Sequence, residues 1–472
     1  MEFLQWVLKT LGKLHIKLPG LKVDQEEDYI FPPHNIPKKQ KESKPKRSIK
    51  PLIVLVIALI IVFILLVELV FIPIIARSQA KEGEMALAAA QRDAMQYKAE
   101  KASLSKEEQI SREFTISYEY KKAASLLGGF NASYAYRFVR LGERTVVDWG
   151  IAEASLGYTQ RAVNRVEEYL MKMNNKITNK DMFYYYLAKW YRSINASTAS
   201  HYVELSKSIQ PPTLYSAATI LDDAVSHSNI DDRISALNTV LQMYSDKFPQ
   251  IVVSAEIYLG DAYKTKGYSE PNFFSKSVAM YEKAIEDIKQ EHLPQSEINN
   301  QTIDAMKKII SVYRLEMAFN PSVLNEAISV CDNAISLASG SKSVESVYFE
   351  KAQIYFDAGD WANAIESFTS ANTLFPNSPY QQKSLWEIGK AYANLKKNEI
   401  SVTYLTMAIA VDPDNQIVPS IMLDLGANLE KTKQYKKAMN VYKAILNRND
   451  INKYVETEAQ RRLASLKALY GG

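Results

Sequence analysis

Few residues in this sequence have the type and spacing that chemistry requires. Its five histidines, His15, His34, His201, His227 and His292, are scattered, and no HExxH, phosphate-loop, GxGxxG or GxSxG stretch accompanies them. The single cysteine, Cys331, has no nearby histidine to activate it as a nucleophile. One cysteine also excludes an intramolecular disulfide and supplies too few ligands for a cysteine-based zinc site. The acidic pairs Asp222-Asp223 and Asp231-Asp232 fall near expected helix ends, where solvent and the helix dipole account for them. The residues therefore imply no catalytic centre, no metal, no cofactor and no small-molecule substrate. The sequons that begin at Asn131, Asn195 and Asn300 would matter only in a secreted eukaryotic chain.

One charged residue is notable for its setting. Pro51 to Val67 carries no charge, Glu68 follows, and the apolar run resumes from Leu69 to Ile75. About 20 such residues cross a bilayer, so a single transmembrane helix is expected over 51–75. Seven basic residues from Lys38 to Lys50 precede it, and only Arg77, Lys81 and Arg92 follow closely. That bias predicts a cytoplasmic N-terminus and a C-terminal domain outside the cytoplasm, anchored by one pass; in a bacterium, which the type of repeat described below implies, the membrane is the inner one and the outside is the periplasm. Two readings of Glu68 stand: an intramembrane contact with a partner helix, or a carboxylate one turn from the outer interface that snorkels to water.

The elements on either side are read from periodicity. Residues 1–18 place Phe3, Leu4, Val7, Leu8 and Leu11 on one helical face and Lys9, Lys13 and Lys17 on another. Such a basic amphipathic helix suits an anionic inner leaflet, or alternatively a cytoplasmic partner. A disordered linker then runs to residue 50, which completes a cytoplasmic tail. The first 50 residues carry a net charge of +5 against +4 for the whole chain, so the remainder is close to neutral and does not suit nucleic acid. Residues 76–129 read as a helical stalk, with a capping box at Ser105 and Glu108 and a stop at Gly128-Gly129.

The C-terminal third carries the clearest signal. Numbered from Glu345, Ala352 and Tyr355 take places 8 and 11, and Ala364, Phe368, Ala371 and Pro376 take places 20, 24, 27 and 32. A second unit from Gln382 repeats this with Leu385, Gly389, Tyr392, Leu405, Ala408 and Pro413, although Ser401 replaces the usual alanine. A third from Pro419 has Gly426, Leu429, Ala438 and Tyr442, with Ile445 in place of alanine. Small residues where two helices touch and large ones between them resemble the tetratricopeptide repeat, a helix pair of about 34 residues. The step here is 37 residues (345, 382, 419), and the linker Pro376-Asn377-Ser378-Pro379-Tyr380 resembles that of bacterial envelope members of the class. Degenerate units precede these: Gly260 with Tyr281 and Ala284, then Ile310 with Ala327, Cys331 and Ala334. Cys331 falls at the place of a large core residue and is read as packing.

The expected fold is thus all-α, a transmembrane helix and stalk followed by a tetratricopeptide-like solenoid. Degenerate repeats would fill 130–343, three clear units 344–452 and a capping helix 453–472. The resemblance implies a concave binding face built from the first helix of each pair. At the family's groove places stand Phe349, Gln353, Phe356, Trp386, Lys390 and Leu423. The Lys and Asn of the family's carboxylate clamp are absent, with Phe349 and Gln353 in their stead. These rings either receive an apolar segment of a partner or pack against neighbouring repeats. The aromatics of the early pairs, among them Trp149, Tyr185, Tyr186 and Trp190, are read as packing. The function implied is a scaffold for other envelope proteins in secretion, cell division or a flagellar-motor collar; the alternative is a chaperone or translocon accessory for exported clients.

Overall fold

The computed structural model describes residues 50–101, 104, 106–131, 143–173 and 176–471. All regular elements among them are helical. The chain divides into two units, 1–64 and 65–472. The expected amphipathic helix at 1–18, the linker after it and Ser105 of the capping box lie outside the described residues.

The described part of the first unit belongs to α1 (Lys50–Leu66), whose large apolar side chains from Val56 to Leu66 are exposed. This element corrects the expectation of a transmembrane helix. It has 17 residues, which at 1.5 Å each span about 25 Å, short of a hydrocarbon core of about 30 Å. Its α-helical ladder then gives way to a π-helical stretch, Val67–Phe71, that contains Glu68, and the helix after that is polar on average. No helix among the described residues is long and apolar enough to cross a membrane. The single-pass inner-membrane location, with its cytoplasmic and periplasmic sides and the intramembrane role of Glu68, falls with that helix.

The second unit is a run of stacked helices. It opens with α2 (Ile72–Glu100) and α3 (Lys106–Asn131), which pack along each other and onto α4 (Glu143–Ser155). Thus residues 76–129 form two packed helices, and α3 continues through Gly128-Gly129 to Asn131. Helix pairs follow: α4 with α5 (Thr159–Met173), α6 (Lys180–Tyr191) with α7 (Ala196–Lys207), and α8 (Leu214–Ser226) with α9 (Ile230–Tyr244). Next come α10 (Pro249–Gly267) with α11 (Phe273–Gln290) and α12 (Gln295–Glu316) with α13 (Leu324–Leu337). The last pairs are α14 (Glu345–Asp357) with α15 (Trp361–Leu374), α16 (Gln381–Asn394) with α17 (Asn398–Val411), and α18 (Val418–Lys431) with α19 (Tyr435–Leu446). A solitary α20 (Lys453–Tyr470) buries Val455, Ala459, Leu463 and Leu466 against the last pair.

Local chemistry sets the boundaries. Side chains of Asn195, Asn229, Asp360 and Asn452 accept backbone N–H bonds at helix starts, and Thr213 with Ser216 forms a reciprocal capping box. Within the last three pairs the first helix ends in the same turn. Gly359, Lys396 and Lys433 adopt positive φ of 79°, 60° and 60°. The next residue in each case donates its N–H five residues back, to Tyr355, Tyr392 and Leu429, at 2.8–2.9 Å. This Schellman closure satisfies the last carbonyls and reverses the chain at a fixed angle.

The small-and-large pattern has a direct cause. A Cβ added at Gly260, Gly389 or Gly426 would lie 2.6, 2.8 or 2.4 Å from the side chain of Tyr281, Leu405 or Tyr442 respectively. Each large residue sits on the second helix of the pair and is fully buried. Ala352 and Phe368 share one buried cluster in the same way. Cys331 is fully buried beside Ala327 and Ala334, and burial pushes its thiol up to about 12, so it packs as a small apolar residue.

Candidate protein-interaction site

The first helices of neighbouring pairs touch one another, and their facing side chains form a line of contacts across repeats. Lys308 on α12 reaches Asp261 of α10 at 2.8 Å. Arg314, one turn and a half further along α12, donates to Glu350 at 2.6 Å and to Asp357 at 2.9 Å, both on α14. On α16, Lys390 stands 5.1 Å from the ring centre of Phe356 and 4.5 Å from that of its own helix neighbour Trp386. Its ammonium also pairs with Glu387 at 2.7 Å. The Trp386 indole N–H donates to Asp424 of α18 at 2.7 Å. Glu430, at the far end of α18, accepts from Arg462 of α20 at 3.1 Å.

These contacts fix what each group can do. A cation between two aromatic faces gains from both ring quadrupoles, and Glu387 holds it in place. Burial pushes the Asp424 carboxyl up from the usual range, and the bond from Trp386 and the charge of Lys390 pull it back. The arrangement has hydrogen-bonding groups and half-buried rings on one line. Among the described residues no group of three or more His, Cys, Asp or Glu side chains could hold a metal ion.

The six groove residues read from the sequence divide between two environments. Phe349 is buried, stacks on Tyr380 at 5.0 Å between ring centres, and packs with Ala352, Phe368 and Ile388. Leu423 is also buried, in the cluster of the last two pairs. Gln353, Phe356, Trp386 and Lys390 are only partly covered. Gln353 donates to Asp357 at 2.8 Å, and Phe356 meets Trp361 edge to face at 5.0 Å. Lys390 brings Phe356 and Trp386 together; Phe349 and Leu423 are turned into the stack.

Sequence reasoning placed Glu430 in the groove but missed Arg314, Asp424 and Arg462. The available signal was opposite charge on helices that face one another across units, which shows only once the helices are stacked. The early aromatics are packed among themselves: Tyr186 lies 5.5 Å from Trp190, Tyr185 lies 5.8 Å from Tyr215, and Tyr191 and Tyr202 stack while both donate to Glu167. The guanidinium of Arg165 covers Trp149 at 3.4 Å.

Residues 341–410 match a family model described as YfiO, outer membrane lipoprotein. A protein of Methanocaldococcus jannaschii, named as a TPR repeat-containing protein, is 25% identical over 316 residues, covering 60% of this chain. The chain spans about half, 51%, of the length of that curated relative. Among solved structures, BtubC from P. vanneervenii is 12% identical, with a TM-score of 0.37, over 52% of this chain and 92% of its own. A Pseudomonas aeruginosa pilF structure is 18% identical, with a TM-score of 0.32, over 48% of this chain and 94% of its own. A Pyrococcus horikoshii signal-transduction ATPase with a tetratricopeptide sensor is 15% identical, with a TM-score of 0.40, over 77% and 52%. The register of small and large places, the helix pairs that carry it and the curated relative lead to one conclusion: the chain is a tetratricopeptide-repeat protein.

Proposed function

We propose that this chain is a scaffold that holds protein partners along the first-helix face of its last repeats. The observation that carries the proposal is the cluster around Lys390. Partly covered rings of Phe356 and Trp386, a cation and the carboxylates of Asp357 and Asp424 lie on three successive first helices. A surface of this kind suits a helix or extended segment that offers apolar side chains with a few polar anchors. The curated relative is named as a repeat protein, which supports a binding role in preference to a catalytic one. The finer reading is assembly of an envelope complex such as a secretion, division or motor machine, and it is supported by the match of residues 341–410 to an outer membrane lipoprotein family.

Substitution tests the proposal. Phe356→Ala with Trp386→Ala should abolish recovery of the stoichiometric partner that co-purifies with the intact chain from its native cells. Met407→Ala, on the exposed side of α17, should leave recovery unchanged. A folded double variant that still recovers the partner would overturn the assignment of this face.

A further inference from the structure

Lys264 on α10 differs from other lysines of the first-helix face in what its amine touches. Lys308 and Lys390 each hold a carboxylate, that of Asp261 and that of Glu387. The Lys264 Nζ donates instead to a neutral oxygen, Ser311 Oγ on α12, at 2.9 Å. That oxygen is free to accept, because its own proton goes to the Lys308 carbonyl at 2.6 Å. Asp261, three residues earlier on α10, is occupied elsewhere. Lys308 takes both of its oxygens, at 2.8 and 2.9 Å, and the Tyr281 hydroxyl of α11 donates to one of them at 2.6 Å. Lys264 is thus partly covered and, among the described residues, has no ion pair of its own.

An ammonium that is short of water and stands near a second ammonium gives up its proton more readily. Burial is the largest cause here; Asp261 opposes it and Lys308 adds to it, and the balance holds the Lys264 amine below the usual lysine range. Each pKa unit lost raises the neutral, nucleophilic fraction about tenfold at neutral pH. Desolvation and a cationic neighbour are the two ways a lysine is activated as a nucleophile, and this position has both. The Lys308 ammonium also favours a reagent that carries negative charge.

We propose that Lys264 is a site of acylation by an acyl phosphate. The neutral Nζ attacks the acyl carbon and the C–N bond forms. The bond from that carbon to the phosphate oxygen breaks, and phosphate leaves with the electron pair and takes up the proton that the nitrogen loses. The product is a neutral amide, so one positive charge is removed where α10 meets α12.

Acetyl phosphate added to the full chain at about pH 7.5, with site-resolved mass spectrometry, tests the assignment. Lys264 should be acetylated at least about threefold faster than Lys308 or Lys390, and its rate should rise at lower pH than theirs. Two variants that keep the helix content should move this rate in opposite directions. Lys308→Met removes the neighbouring cation and frees Asp261 to pair with Lys264, so acetylation of Lys264 slows. Asp261→Asn removes the carboxylate, so it speeds up. A change in access alone would not reverse sign between the two. A Lys264 rate no higher than that of Lys308, or a shift in the same direction in both variants, would overturn the proposal; if a variant fails to fold, the comparison of sites within the intact chain decides.

Discussion

Gly359, Lys396 and Lys433 close the first helix of three successive repeats with the same left-handed backbone, and only the glycine adopts it freely. A residue with a Cβ is strained there by about 1–2 kcal/mol, while glycine loses about 0.5–1 kcal/mol more entropy on folding. Both lysines are exposed, so nothing else depends on their side chains. Lys396→Gly and Lys433→Gly should therefore each stabilise the fold by about 0.5 kcal/mol, read as a higher urea midpoint at unchanged slope. Glu256 makes a different prediction. It is fully buried on α10, with Lys283 of α11 at 2.6 Å, and burial raises its carboxyl from 4.5 to about 7. The native state thus holds this proton more tightly than the unfolded chain does. Its contribution to stability is complete below pH 4.5 and is lost as pH rises through about 7. Unfolding midpoints across that window should fall with pH, and Glu256→Gln should flatten the fall; an unchanged slope would remove Glu256 as its cause.

At the scale of elements, the spacing of small and large residues made the last three helix pairs legible. Ala352, Gly389 and Gly426 lie where the two helices of a pair cross, and no larger residue fits opposite Phe368, Leu405 or Tyr442. Gly426→Ala tests this: its new Cβ would stand 2.4 Å from the buried Tyr442 ring, which Glu430 also holds by a hydrogen bond. Overpacking of this sort should cost about 1–3 kcal/mol, measured by chemical unfolding. The apolar run after Lys50 was legible as a helix but not as to its length. Composition shows that residues 51–75 are nearly uncharged; it does not show that the α-helical ladder stops at Leu66 and turns π-helical around Glu68. Groove residues were legible only by place. Phe349 and Phe356 are two turns apart on one helix, yet the first is packed on Tyr380 and the second reaches Lys390, because the linker that carries Tyr380 returns over only one of them.

At the scale of the molecule, stacking is local and the function read from it is not. Each helix pair packs on its neighbours, so stability is close to a sum of similar contacts. A binding face instead needs side chains from several repeats in register. Arg314, Lys390 and Asp424 achieve that through bonds that cross from one first helix to the next, which no single repeat motif encodes. The central claim is that this face is where a partner sits. A photo-crosslinking residue placed at position 390, and separately at position 407, in the full chain in its native cells tests it most directly. The account predicts one discrete, stoichiometric adduct from position 390 and none from position 407. Adducts from position 407 alone, or none from position 390 while the chain still co-purifies with its partner, would contradict it.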